Sequence, residues 1–247
     1  MYYALLAHVI CFSLAVFPPA SAVETQKSSQ MEKDILRIKI EQSVKFTPNS
    51  LFFAGSSSIR FWRTLVNDFS PLETISRKLP GSTLEDYTRY ARYIISPYRP
   101  AVVVLSAGDN DIAAGNSPEK VLGDFKRLVA ELRKDLPSSP IVFMSLNPSP
   151  ARWELWGKMQ RANELVRKYT EGRKDLIYID VSAPLFDKGG VIRSELFLGD
   201  RRYLNAEGYR LWTLILKPKL TELMKLSRRS TGNLFLTYPE HPGIPSR

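Results

Sequence analysis

Three stretches of this sequence combine small hydroxyl residues, glycine and a neutral amide in an order that suits attack on a carbonyl. The first is Gly55-Ser56-Ser57-Ser58-Ile59-Arg60-Phe61-Trp62, which follows an apolar run directly. A serine there stands where a glycine turn leads into a helix start. Backbone N–H groups at a helix start lack intrahelical acceptors, so they can orient a serine oxygen and stabilise developing negative charge. The same residues also suit an ordinary helix N-cap. In the second stretch Gly81 precedes Ser82, and a glycine lets a substrate come close to a backbone N–H. The third, Ser106-Ala107-Gly108-Asp109-Asn110-Asp111, offers Asn110, whose amide can donate to an oxyanion without a proton cost. Asp109 and Asp111 are either bases or turn-forming and capping residues.

These stretches need a frame, and the apolar pattern supplies one. Short runs closed by turn residues recur at Leu51 to Gly55, Ala101 to Leu105, Ile141 to Leu146 and Leu176 to Val181, with a weaker run at Glu73 to Arg77. Such runs are the form of parallel strands buried on both faces. Helical periodicity lies between them. Met31 to Phe46 is amphipathic and ends before Pro48. Ser82 and Glu85 have capping-box spacing, Ser117-Pro118 and Ser149-Pro150 open two further helices, and Asn205 can cap the last one, which Gly208 and Pro218 make less regular. Strands alternating with helices predict a three-layer α/β/α sandwich around a doubly wound parallel sheet. Ligands in such folds bind at the carboxyl ends of the strands, where all three chemical stretches fall.

Residues 1–22 end in Ala20-Ser21-Ala22 after an apolar run and read as a secretory signal peptide, which predicts a secreted or periplasmic protein; the alternative is an uncleaved membrane anchor. Residues 23–226 form the expected domain and 227–247 an extended or disordered tail. The only cysteine, Cys11, lies in the leader, so neither a disulfide nor a thiol nucleophile is expected in the mature chain. The net charge of +10 is scattered from Lys27 to Arg247, which allows weak attraction to anionic surfaces. No helix-turn-helix, zinc spacing or aromatic-interleaved basic motif points to specific nucleic-acid binding. Without a His or Cys cluster, neither a metal nor another cofactor is expected. Trp62, Trp153, Trp156 and Trp212 read first as packing residues, with Arg60 and Asp111 as candidate pocket residues.

Taken together, FFAGSSSIRFW, PGSTLEDY, SAGDNDIAAG, SLNPSPARWELW and DRRYLNAEGYRLW resemble, in order, the sequence blocks of SGNH (GDSL-type) ester hydrolases, in a subgroup that reads GSSSIR. The resemblance spans about Leu51 to Trp212. It implies the SGNH fold, with a flavodoxin-like sheet, and hydrolysis of a small ester or acylated carbohydrate through a serine acyl-enzyme. It further implies Ser57 as nucleophile, the N–H groups of Ser57 and Gly81 with the amide of Asn110 as oxyanion donors, and Asp200 as the acid that orients a histidine. Tyr203 occupies the position of that histidine. Lys78 and Pro80 also replace glycines usual before Gly81, which implies a stiffer oxyanion loop. A phenol of reference pKa about 10 is a poor proton acceptor at neutral pH. Two expectations follow: an esterase impaired at its base, or a silent protein that binds an ester or glycan in a retained pocket. The only histidines, His8 and His241, lie in the leader and the tail.

Overall fold

The five apolar runs become five strands: β1 (Leu51–Gly55), β2 (Thr74–Lys78), β3 (Val102–Ser106), β4 (Ile141–Met144) and β5 (Leu176–Ile179). They pair in parallel in the order β2-β1-β3-β4-β5. The computed structural model describes residues 31–38 and 48–232. The expected leader, with His8 and Cys11, and the end of the tail, with His241, lie outside the described residues. In chain order the helices are α1 (residues 31–38), α2 (Ser57–Phe61), α3 (Leu65–Asp68), α4 (Leu84–Ile94), α5 (Asp109–Ala113), α6 (Pro118–Asp135), α7 (Trp156–Thr170) and α8 (Ala206–Gly232).

Strand residues alternate between two cores, as the twofold period of a strand requires. Phe52 and Ala54 face α4, α6 and α7, where Tyr87, Phe125 and Met159 are buried, together with Met31, Ile35 and Ile38 of α1. Leu51 and Phe53 face Leu65 of α3 and Trp212 and Leu216 of α8. A sheet covered on both faces is the three-layer sandwich predicted from the pattern. Its connections reverse direction between β1 and β3, so the crevice beyond Gly55 and Ser106 is the expected place for a ligand.

Three local expectations change. The capping box uses Thr83 and Asp86, not Ser82 and Glu85: Thr83 is extended and donates its N–H to Asp86 Oδ2 at 2.9 Å. Gly81, at φ +72°, turns the chain one residue earlier and sends Ser82 into the interior. The segment opened by Ser149-Pro150 is first a 3-10 stretch, Pro150–Leu155, with a break at Arg152, and α7 begins only at Trp156. Residues 227–232, expected in the tail, continue α8, which keeps Pro218 inside it. Asn205 does cap α8, accepting from the N–H groups of Glu207 and Gly208. No helix among the described residues is long and apolar enough to cross a membrane.

Gly55 couples the sheet to α2 with no room to spare. A Cβ there would meet Ile59 Cγ1 at 2.3 Å and the Ser106 backbone oxygen at 2.9 Å. The strand oxygen cannot give way, so Gly55→Ala should destabilise the fold by about 1–3 kcal/mol. Urea unfolding should show a lower midpoint with an unchanged slope.

Candidate active site

The turn after β1 places three serines in succession. Ser56 is fully buried and, although it stands at the N-cap of α2, makes no capping bond; its Oγ points at Asp109 Oδ1, 3.5 Å away. Ser57 is the first residue of α2 and is half-buried. Its backbone N–H, at the open end of the helix, is free of an intrahelical partner. Among the described residues no side-chain hydrogen bond restrains Ser57 Oγ.

The loop after β2 is anchored from below. Leu79 N–H donates to the Gly55 carbonyl at 3.2 Å, and Ser82 N–H donates to the Leu79 carbonyl. Gly81 adopts the left-handed conformation glycine tolerates best, and nothing lies within 4 Å of where its Cβ would be. The space beside its Cα is therefore open. From β3, Asn110 Nδ2 donates to the Ser82 carbonyl at 3.0 Å, which holds the amide against the Gly81 loop. An amide nitrogen has two hydrogens, so one remains for an oxyanion.

Asp111 does not line the cleft as expected. It is fully buried and accepts the N–H of Leu84, at the start of α4, at 3.2 and 3.3 Å. Burial pushes its carboxyl up to about 6, with Asp124 and Asp109 adding repulsion. Arg60 is exposed on α2 with its guanidinium 5.6 Å from the Phe61 ring centre and is not among the residues that line the cleft. Trp62, Trp156 and Trp212 are core residues, but Trp153 is exposed, edge-on to Phe186.

The loop before α8 carries Asp200 and Tyr203. Asp200 Oδ1 accepts the N–H groups of Arg202 and Tyr203 at 3.0 and 3.2 Å, and Arg201 takes a left-handed φ of +55°. Tyr203 stacks on Phe61 with ring centres 4.3 Å apart, which sets the phenol against the last residue of the helix that begins at Ser57. Tyr209 of α8 donates its hydroxyl to the Ser58 carbonyl at 2.8 Å, fixing α2 to α8.

A cleft opens beside this stack, lined among others by Ser58, Asp109, Asn147, Arg152, Arg202 and Tyr203. Asp109 Oδ2 lies 3.6 Å from Arg152 Nη1. Burial raises the Asp109 carboxyl above its ordinary range even though Arg152 pulls it down. The two arginines escaped the sequence reading. Both lie inside a quoted block, Arg152 in SLNPSPARWELW and Arg202 in DRRYLNAEGYRLW, and that membership was the available signal.

Residues 49–211 match the GDSL-like Lipase/Acylhydrolase family, and the chain belongs to that family. A Streptococcus pneumoniae protein provisionally described as a platelet activating factor shares the fold with TM-score 0.72 and 19% identity, covering 82% of this chain and 100% of that one. A GDSL-like lipase of Bacteroides thetaiotaomicron superposes with TM-score 0.64 and 21% identity, covering 76% and 97%. A carbohydrate esterase of family 3 from Talaromyces cellulolyticus gives TM-score 0.57 and 16% identity, covering 71% and 98%. No curated protein matches the chain. The fold is that of the SGNH hydrolases.

Proposed function

We propose that this protein is a serine acylhydrolase of small carboxylic esters whose turnover is held low by a phenol where a base is needed. The observation that carries the reading is the gathering of the Ser57, Gly81 and Asn110 loops at the sheet's switch point, linked by the Asn110–Ser82 and Leu79–Gly55 hydrogen bonds. In this mechanism Ser57 Oγ attacks the ester carbonyl, and its proton, with no imidazole at position 203 to take it, passes through water to the departing alcohol as the ester C–O bond breaks. The carbonyl oxygen, now negative, is met by the N–H groups of Ser57 and Gly81 and the amide of Asn110. Water then releases the acid from Ser57. Oxyanion donors alone can sustain about a thousandfold rate over water when a triad is incomplete.

The carbohydrate esterase among the structural neighbours supports an acylated sugar as one form of substrate. The apolar leader over residues 1–22 supports export. The second reading, a silent binder, is favoured by one observation: the Tyr203 ring is packed against Phe61, as a wall of the cleft would be. Hydrolysis of p-nitrophenyl acetate and butyrate separates the two. A slow rate that Ser57→Ala removes supports the hydrolase; a rate identical in the parent and in Ser57→Ala leaves only the binder.

A further inference from the structure

The cleft beside Tyr203 carries more positive charge than its one carboxylate balances. Arg152 and Arg202 both act on Asp109, and each repels the other. Arg152 is only 19% exposed, its Nη1 is buried without a hydrogen-bond partner, and its nearest carboxylate oxygen stands at 3.6 Å, beyond hydrogen-bond reach. The exposed Glu154 attracts it least. Arg202 is half-buried with its guanidinium 5.1 Å from the Tyr203 ring centre, and no ion pair joins it to a carboxylate among the described residues. Two guanidiniums facing one carboxylate in a partly dry cleft leave a net positive charge that water compensates poorly. Ser58, Asn147 and Ser149 add polar groups to the same wall.

We infer that this cleft receives an anionic group, a carboxylate or phosphate borne by the ligand, between Arg152 and Arg202. Planar guanidiniums suit such oxyanions because their N–H groups match two oxygens at once. Under the acylhydrolase reading, on which this half of the inference rests, the preferred ester carries its negative charge a few bonds from the scissile carbonyl. The binding half stands without catalysis.

The test has two arms. In the first, inorganic phosphate is titrated at constant ionic strength while thermal unfolding of the full chain is followed. Phosphate should raise the melting temperature of the parent and of Arg89→Gln, an exposed control with the same change in charge, and the rise should be lost in Arg202→Gln and Arg152→Gln. The second arm uses Tyr203→His as the background and compares mono-p-nitrophenyl succinate with p-nitrophenyl acetate. The succinate ester should have the higher kcat/KM, and adding Arg202→Gln should cut that preference by about tenfold, the size expected for losing a hydrogen bond to a charged group. A phosphate response unchanged in both cleft variants overturns the anion site. A cleft-dependent response with no hydrolysis of either ester upholds the site and sinks the acylhydrolase reading instead. Hydrolysis of both esters at equal kcat/KM, with the phosphate response confined to the parent's cleft, overturns the substrate half alone.

Discussion

Tyr203→His should raise Ser57-dependent hydrolysis of p-nitrophenyl acetate at least about a hundredfold, the lower end of what a positioned general base contributes. Removing the histidine from a complete serine triad costs on the order of a millionfold, so the upper end is much larger. The geometry favours recovery. The ring at position 203 stacks on Phe61, four residues after Ser57, and four residues of helix rise only about 6 Å. Asp200 holds the loop with Oδ1, and a carboxylate has a second oxygen that can accept from an imidazole N–H. An imidazole of reference pKa about 6.5 is largely neutral at pH 7.5 and can take the serine proton. The rate should therefore rise with pH through about 6 to 7 and then level off. Ser57→Ala in the same background should abolish the gain. Tyr203→Phe should give no gain, because it removes the hydroxyl without supplying an acceptor. A variant as slow as the parent would show that residue 203 cannot reach Ser57, and the assignment of the base position would fall.

Asp111→Asn should stabilise the protein above neutral pH and lose that advantage in acid. The Asp111 carboxyl is raised from 3.8 to about 6 by burial, reinforced by Asp124 and Asp109 and opposed by the Leu84 N–H. Between those two values the folded state binds more protons than the unfolded state, so stability falls as pH rises through the interval. About two units at 1.36 kcal/mol each give roughly 3 kcal/mol of lost stability by pH 7. Asparagine keeps an oxygen for the Leu84 N–H and has no charge to bury. The expected gain is about 1–3 kcal/mol at pH 8, shrinking to nothing or reversing below pH 4. Urea unfolding of both proteins across pH 4 to 8 measures it, and the difference between the curves isolates residue 111 from the other carboxylates. A difference that stays flat with pH would show that Asp111 does not titrate in that range.

How far the sequence could be read depended on the kind of signal. Runs such as LFFAG and AVVVL have almost no reading except buried parallel strands, because both faces of the sheet are covered, and β1 and β3 lie within a residue of the expectation. That the sheet is parallel followed from alternation with helices, whereas its flavodoxin-like order came only with the family resemblance. Caps were harder: Ser82 and Thr83 both suit an N-cap, and only the φ of Gly81 decides which of them faces the helix and which turns inside. Asp111 was legible as a candidate by type but not by depth, since a sequence does not say which of Asp109, Asn110 and Asp111 points into the cleft on a helix of five residues. Arg152 and Arg202 meet across loops fifty positions apart, and no local pattern brings such residues together. Ser57, Gly81, Asn110 and Tyr203 were readable as site residues only as members of an ordered set of blocks; singly, each is a common turn, cap or packing residue.

The clamp at Asp200 bears on how this loop can change over time. Its carboxylate grips main-chain N–H groups, and a main-chain grip is indifferent to the side chain that follows. The main-chain part of the loop's shape thus does not depend on which side chain stands at 203, whereas its docking on α2 draws on the Tyr203–Phe61 stack. On the proposed reading, a base could be gained at position 203 with this grip intact, so the backbone of the loop alone would not separate a working form from a resting one.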